Sequence, residues 1–593
     1  MNVKILLLGY FRRKWPRYAA GLALVFISTY FNTLIPSYLG RAVDQLRAGD
    51  PLSDVRRTAL LLAAAGFGAF LLYFIWRYMV LGFMRGAEIH LRRGVFAHLE
   101  SLTSDFYVRY NTGDIITRSI SDVQAIRKMF GGSLVWIANS AVTFALAAMH
   151  MVRTSGALMS FIALAPIPAL LYFIMKIRKV LRGRQRDIRA ATSDMAAKAQ
   201  ENLTGIRIIK AFARENSERD AFAAFSDRKR AAEVRKAKLS AIVGPLIMLV
   251  YAGVFTVYIL VGSRMLSAGD ITIGDFTAFN GYILLMVGPI ALLGQAIEDW
   301  QSGMASIGRL DEMLNCEPES RDRDGLAEEW LSHENPFEQA QTAADGDWIS
   351  VRNLTFRYPG TDVNVLKNVG FSVRRNEIVA ITGPVGCGKT TLLSLFERLW
   401  SAPRGMISFA GYDVNDIPIE VLRSEIGFVP QDSFLFSDSI SENIRFFAEH
   451  RGDEDVLEAA RAVAVHGNVI EFADGYSTIV GERGVTLSGG QMQRVSIARA
   501  LVLHPKILLL DDCLSAVDAE TEREILSGLR AYLDGCTAVI VTHRVAAASL
   551  ADRIVVLGQG GTVDETGTFD ELLAKDGAFA ALVRLQNGKE AAE

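Results

Sequence analysis

Apolar and polar positions divide this chain into two halves. Six apolar runs fall in the first 300 residues, near Tyr18–Tyr38, Ala59–Leu81, Leu134–Val152, Ala157–Ile177, Val243–Met265 and Phe276–Ile297. Each is about 20 residues long, enough to cross about 30 Å of hydrocarbon at 1.5 Å per residue. Buried helices of a large soluble protein would account for one or two such runs, not for six in succession. Pro36, Pro166, Pro168 and Pro289 fall inside them, where neighbouring helices can re-satisfy the backbone. Short loops join runs one and two, three and four, and five and six. Long polar helical stretches, Gly82–Ser133 and Arg178–Ile242, join the others and are rich in Arg and Lys, as is the amphipathic stretch Lys4–Arg17. The positive-inside tendency puts all three on the cytosolic side, and an even number of spans returns the C-terminal half there.

After Trp348 the texture changes to short β-type runs such as "EIVAIT", "KILLLDD" and "TAVIVTH", alternating with helical ones. That alternation predicts an α/β domain. Between the halves, Asn315–Asp347 is acidic and polar and reads as a solvated linker. The expected organisation is a multi-domain membrane protein. Residues 1–314 form an all-α six-helix membrane domain with long cytosolic extensions, 315–347 an acidic linker, and 348–593 an α/β phosphate-loop domain. Composition agrees with two unlike parts: 50% hydrophobic and 22% charged, with mean hydropathy +0.22. A net charge of −2 gives no sign of a nucleic-acid partner. Four cysteines stand at no metal-ligand spacing and suggest no disulfide framework.

Gly383-Pro384-Val385-Gly386-Cys387-Gly388-Lys389-Thr390 follows the strand "EIVAIT" and opens the helix that begins with Thr390 and Thr391. This is the phosphate-binding loop in its required strand–loop–helix setting. Its glycines let backbone N–H groups close around phosphates, and the helix N-terminus adds free donors and positive dipole. Lys389 is placed to reach the β- and γ-phosphates, and the Thr390 hydroxyl to ligate Mg²⁺. In "KILLLDD" a buried strand delivers Asp511 to the cleft at the C-terminal edge of a parallel sheet, as a second Mg²⁺ ligand. Leu487-Ser488-Gly489-Gly490-Gln491 then precedes the helix "MQRVSIARALVLH", which Ser488 can cap.

With this last motif the chain resembles the ATP-binding-cassette (ABC) transporters, whose signature it matches. The resemblance implies roles along the domain. Tyr358 in "FRYPG" is similar to the aromatic that stacks on adenine. Gln431 in "FVPQD" resembles the glutamine that senses Mg²⁺ and contacts the membrane half. Val480–Gly484 resembles the exporter loop before the signature, and Leu514–Asp518 the loop that touches the opposite subunit. His543 in "VTHR" resembles the switch histidine on the γ-phosphate. In that family one ATP sits between the phosphate loop of one domain and the signature of the other, so a second half-transporter is implied, with ATP and Mg²⁺ as cofactors. "YNTGDIITRSISDV" and "ENLTGIRIIKAFARE" resemble the intracellular loops of ABC exporters, whose coupling helices dock on the nucleotide domains. The lipid bilayer and a lipophilic small-molecule substrate complete the expected partners.

One position departs from the pattern. The general base after the Walker B aspartate is usually Glu, and here it is Asp512. Its side chain is one methylene shorter, which sets the carboxylate roughly 1–1.5 Å back from the attacking water. A general base is worth about 10²–10⁴ in rate. In this the chain resembles the Asp-bearing half of heterodimeric bacterial multidrug exporters. A nucleotide-clamp subunit with little hydrolysis of its own, or a homodimeric lipid or peptide exporter, are the other readings. A thiol at Cys387 is expected to sit against bound nucleotide, or else to be simply a small residue that fits the loop. Asn32, Asn139, Phe276, Asn280 and Tyr282 are polar or aromatic positions in the spans, candidates for a substrate cavity or simply for helix packing.

Overall fold

A computed structural model describes residues 2–318, 320–323, 325–331, 347–446, 448, 450–481, 487–514, 517, 519–533 and 535–590, apart from the side chains of 167, 170, 171, 174, 175, 178, 247, 291, 331 and 587–590. The chain forms two compact units: 1–100 with 111–316, and 101–110 with 317–593.

The first unit is helical throughout. Its helices outrun a bilayer because the apolar runs continue without a break into Arg-, Glu-, Lys- and Ala-rich segments that also favour helix. Val3–Ala48 has 46 residues, Leu52–Glu100 has 49 and Ile273–Leu314 has 42. At 1.5 Å per residue each is about twice the hydrocarbon thickness. Runs one, two, three, five and six lie in five helical segments apolar and long enough to cross a membrane, among the described residues. The fourth run begins just after Gly156 (φ 78°, ψ 168°), whose non-helical backbone kinks the Leu134–Leu164 segment. It continues through Ala165, whose backbone stays helical, into Pro166–Thr204. Several of its side chains lie outside the described residues.

Val3–Ala48 packs along Leu52–Glu100 and Ile273–Leu314. Charges buried in this unit are paired, which their desolvation requires. Asp122 accepts from Arg309 Nε and Ser306 Oγ, both at 2.9 Å, and Glu88 holds Arg92 at 2.9 Å and Arg127 at 3.0 Å. Most of the candidate cavity residues serve packing. Asn139 accepts from the Thr29 hydroxyl at 2.6 Å, Asn280 from Tyr251 at 3.1 Å, and Phe276 stacks on Tyr258 at 4.5 Å. Tyr282 is fully buried and stacks on His150 at 5.5 Å. Asn32 is exposed.

The second unit holds two sheets. An antiparallel one has the order β2 (Leu366–Arg374), β1 (Asp347–Phe356), β4 (Ile407–Phe409), β5 (Tyr412–Asp413). The larger has the order β10 (Val563–Gly567), β9 (Arg553–Leu557), β3 (Ile378–Thr382), β8 (Thr537–Val541), β7 (Ile507–Asp511), β6 (Ile426–Val429). It is parallel except for β10. Both faces are buried, so its strands read as continuous apolar runs. Ile507 and Leu509 join a core with the Lys389–Phe396 helix, whereas Leu508 and Leu510 join a core with the Gly489–Leu501 helix on the other face.

The acidic segment after Cys316 does not behave as a freely solvated linker in its described part. Asp322 forms an ion pair with the buried Arg398 at 2.9 Å and accepts from Ile419 N at 3.0 Å. Leu326 is buried, and Trp330 packs edge-on to Tyr412 at 5.5 Å. Asp322 finds specific partners on the domain, and Leu326 and Trp330 find core. Residues 332–346 lie outside the described set.

Candidate nucleotide site

The phosphate loop hangs between β3 and the Lys389–Phe396 helix. Gly383 has φ 148° and Gly388 φ 99°, a region L side chains rarely enter. A Cβ at Gly383 would stand 2.2 Å from the Leu557 carbonyl, and one at Gly388 2.7 Å from Leu366. Both positions therefore require glycine. Pro384, Val385 and Gly386 form an exposed rim, while Cys387 and Gly388 are buried beneath it. Lys389 is also buried and folds back on its own loop, donating from Nζ to the carbonyls of Gly383 (3.0 Å) and Pro384 (2.8 Å). Thr390 is exposed at the helix start. Thr391 is buried, and its hydroxyl shares a 2.8 Å hydrogen bond with the Tyr358 phenol. Edge contacts with Trp400 (4.9 Å) and Phe356 (5.3 Å) hold the Tyr358 ring beside that helix. Trp400 carries no motif that would have marked it.

Cys387 corrects one expectation. Its thiol is 2% exposed and packs into the core with Val379, Ile381 and Leu392. The loop turns this side chain under itself, so the backbone rather than the sulfur faces the phosphate position.

β7 delivers Asp511 to the edge of this loop. Asp511 is 1% exposed, and neither carboxylate oxygen has a well-aligned hydrogen bond among the described residues. Burial pushes its carboxyl above the usual range, with Asp512 adding; the nearby Thr390 hydroxyl and Lys389 ammonium oppose. Asp512 is half-buried at φ 43°, a left-handed backbone fixed by its N–H to the Val541 carbonyl at 2.9 Å. His543, just past β8, is half-buried; burial and then Lys389 hold its imidazole below the ordinary range, while Asp512 raises it. The sheet thus gathers Lys389, Thr390, Asp511, Asp512 and His543 into one place. Gln431 is exposed just past β6.

The signature is built elsewhere. Ser488 caps the Gly489–Leu501 helix in a reciprocal box: its hydroxyl accepts from Gln491 N at 3.2 Å, and Gln491 Oε1 accepts from Ser488 N at 2.9 Å. Ser488 and Gly489 are exposed, and Gly490 and Gln491 partly so. No described hydrogen bond joins them to the phosphate loop. Residues 482–486, 515, 516 and 518, which cover most of the "VGERG" and "LSAVD" loops, lie outside the described residues.

Comparison with known proteins agrees with this construction. Residues 18–290 match the family profile of the ABC transporter transmembrane region, and residues 366–515 that of the ABC transporter. The chain is 30% identical over 578 residues to a probable multidrug resistance ABC transporter ATP-binding/permease protein, YheI, of Bacillus subtilis, covering 96% of this chain and 95% of that one. It is 32% identical over 582 residues to the multidrug resistance-like ATP-binding protein MdlA of Escherichia coli, covering 97% and 95%. The chain belongs to the ABC transporter family. A solved bacterial Atm1-family ABC exporter with ATP bound superposes with a TM-score of 0.78 at 26% identity, over 97% of this chain and 99% of that one. This ABC transporter is therefore an ATP-hydrolysing exporter, multi-pass in the membrane, with its nucleotide-binding domain in the cytosol. ABC exporters work as dimers in a membrane.

Proposed function

We propose that this chain is one half of a heterodimeric exporter of lipophilic or amphipathic small molecules, and that the ATP site on its own phosphate loop is the slow, clamp-like one. Two relatives carry multidrug resistance in their names, which supports the substrate class. In this reading Tyr358 stacks on adenine, and residues 383–391 cradle the phosphates, with Lys389 leaving its loop carbonyls for the β- and γ-oxygens. Ser488, Gly489, Gly490 and Gln491 cover the ATP of the partner. Thr390, Asp511 and Gln431 would hold Mg²⁺, and the buried Asp511 carboxylate, with no well-aligned hydrogen bond among the described residues, fits that ion. When bound, Mg²⁺ neutralises charge on the β- and γ-phosphates. His543 contacts the γ-phosphate, and Asp512 orients the water.

The observation that carries the slow-site reading is Asp512 itself. The short carboxylate follows Asp511 directly, on a left-handed backbone pinned to β8. The same geometry makes a long-lived ATP clamp here compatible with fast turnover at the partner's site. The Ile206–Ala211 helix supports a second chain: it has no buried residue, and Leu203, Ile208 and Phe212 near it are exposed.

Co-purification from the native membrane, with mass spectrometry of whatever associates in equal amount, tests the proposal. The expected companion has the same architecture with Glu after its Walker B aspartate. Recovery of this chain alone, in two copies whose robust ATPase is lost on Lys389→Ala, would overturn it.

A further inference from the structure

His543 lies in the link between β8 and the Val545–Ala548 helix. One side chain grips the backbone at His543 itself and two residues further on. Gln586 donates from Nε2 to the His543 carbonyl, and its Oε1 accepts from Val545 N at 2.9 Å. A primary amide can pair with a carbonyl and an N–H at once in only one orientation, so the two bonds fix both the amide and the segment. Gln586 comes from the C-terminal helix, Ala578–Glu590, far from any motif. That helix is seated independently of Gln586: Phe579 and Val583 pack with Ala380, Ala548, Ile554 and Val556. Between the two gripped positions, Arg544 donates to the Val517 carbonyl at 3.1 Å and pairs with the buried Glu522. The link is therefore held by its backbone from one element and by its arginine from another, and the half-buried imidazole of His543 lies within electrostatic reach of Lys389 and Asp512.

We infer that Gln586 is a positioning residue that sets His543 against the terminal phosphate of ATP bound on this chain's own loop. The inference rests on the reading of His543 as the γ-phosphate contact. Gln586 does not touch nucleotide; it fixes the backbone from which the imidazole extends.

A comparison of ATP with ADP separates this role from a structural one, because only ATP carries the phosphate that His543 meets. The full-length chain in detergent, with EDTA to prevent turnover, is titrated with ATP and with ADP by displacement of a trinitrophenyl nucleotide. Gln586→Ala should weaken ATP about tenfold, the worth of one hydrogen bond to a charged group, and leave ADP unchanged. His543→Ala should do the same, and the double variant should lose no more than either alone. Equal weakening of ATP and ADP, or losses that multiply in the double variant, would overturn the positioning role. An ATP loss in His543→Ala that Gln586→Ala does not share would overturn the role of Gln586 alone. An unchanged ATP-to-ADP ratio in His543→Ala would overturn the underlying reading of His543.

Discussion

Two short cytosolic helices in this chain have similar lengths and opposite fates. Ser104–Arg109 belongs to the compact unit that holds the nucleotide-binding domain; its Phe106 is 3% exposed and stacks on Tyr110 at 4.6 Å. Ile206–Ala211 buries nothing, and the adjacent Phe212 is 72% exposed. The two glycine-rich loops repeat the contrast. Lys389 is buried and satisfied by its own loop, whereas the signature is capped by Ser488 and turned outward. One member of each pair is finished within the chain. The other presents folded but uncovered chemistry, which the proposed dimer would cover. A half-site can thus fold without its complement, because each loop rests on its own core on opposite faces of one sheet.

The sharpest test compares the helices. Phe106→Ala should cost about 3–5 kcal/mol, as for other buried aromatics, read as a lowered thermal midpoint in detergent. Phe212→Ala should change that midpoint by no more than about 0.5 kcal/mol while lowering turnover of the assembled transporter. Equal destabilisation by both would erase the contrast.

Next come the loops. Lys389→Ala should weaken ATP binding to the isolated chain by about 2–5 kcal/mol. Ser488→Arg should leave that binding intact and stop turnover in the dimer. If Ser488→Arg weakened binding to the isolated chain as much, the two half-sites would not be separate.

Asp512→Glu should raise steady-state ATPase of the complete transporter by about 10–100-fold at this site, or roughly 1.4–2.7 kcal/mol of barrier. An unchanged rate would mean that Asp512 already orients the water. The smallest effect concerns the cap. Ser488→Ala removes one side of the box on the Gly489–Leu501 helix and should cost about 1 kcal/mol of stability, with ATP affinity of the isolated chain unaltered.

The phosphate loop, the Walker B strand and the signature helix were legible because each is local. A turn that needs glycine, a strand with both faces buried and an N-cap are properties of five to ten consecutive residues. Ser488 reads as a cap from its place before the helix, and the structure adds only that Gln491 returns the bond. Sequence leaves the side of the loop that Cys387 takes open, because whether a loop residue points up at a ligand or down into a core depends on what lies beneath the loop. The segment after Cys316 reads as solvent-facing from its charge density, yet Asp322 finds a buried arginine 76 residues away. Gln586 was invisible because its partners are 41 and 43 residues back, and an isolated glutamine on a helix has no pattern.

The sequence by itself determined that this chain crosses a membrane and binds ATP, since apolar run length and the spacing of glycines around a lysine are set by bilayer thickness and phosphate geometry. It also placed Asp where this family's pattern has Glu. Tertiary structure alone decided which of these local devices meet. Parallel pairing of β3, β7 and β8 brings Lys389, Asp511, Asp512 and His543 together from segments far apart in the chain. The same sheet sends the signature to its other face, because alternate side chains of a strand point in opposite directions.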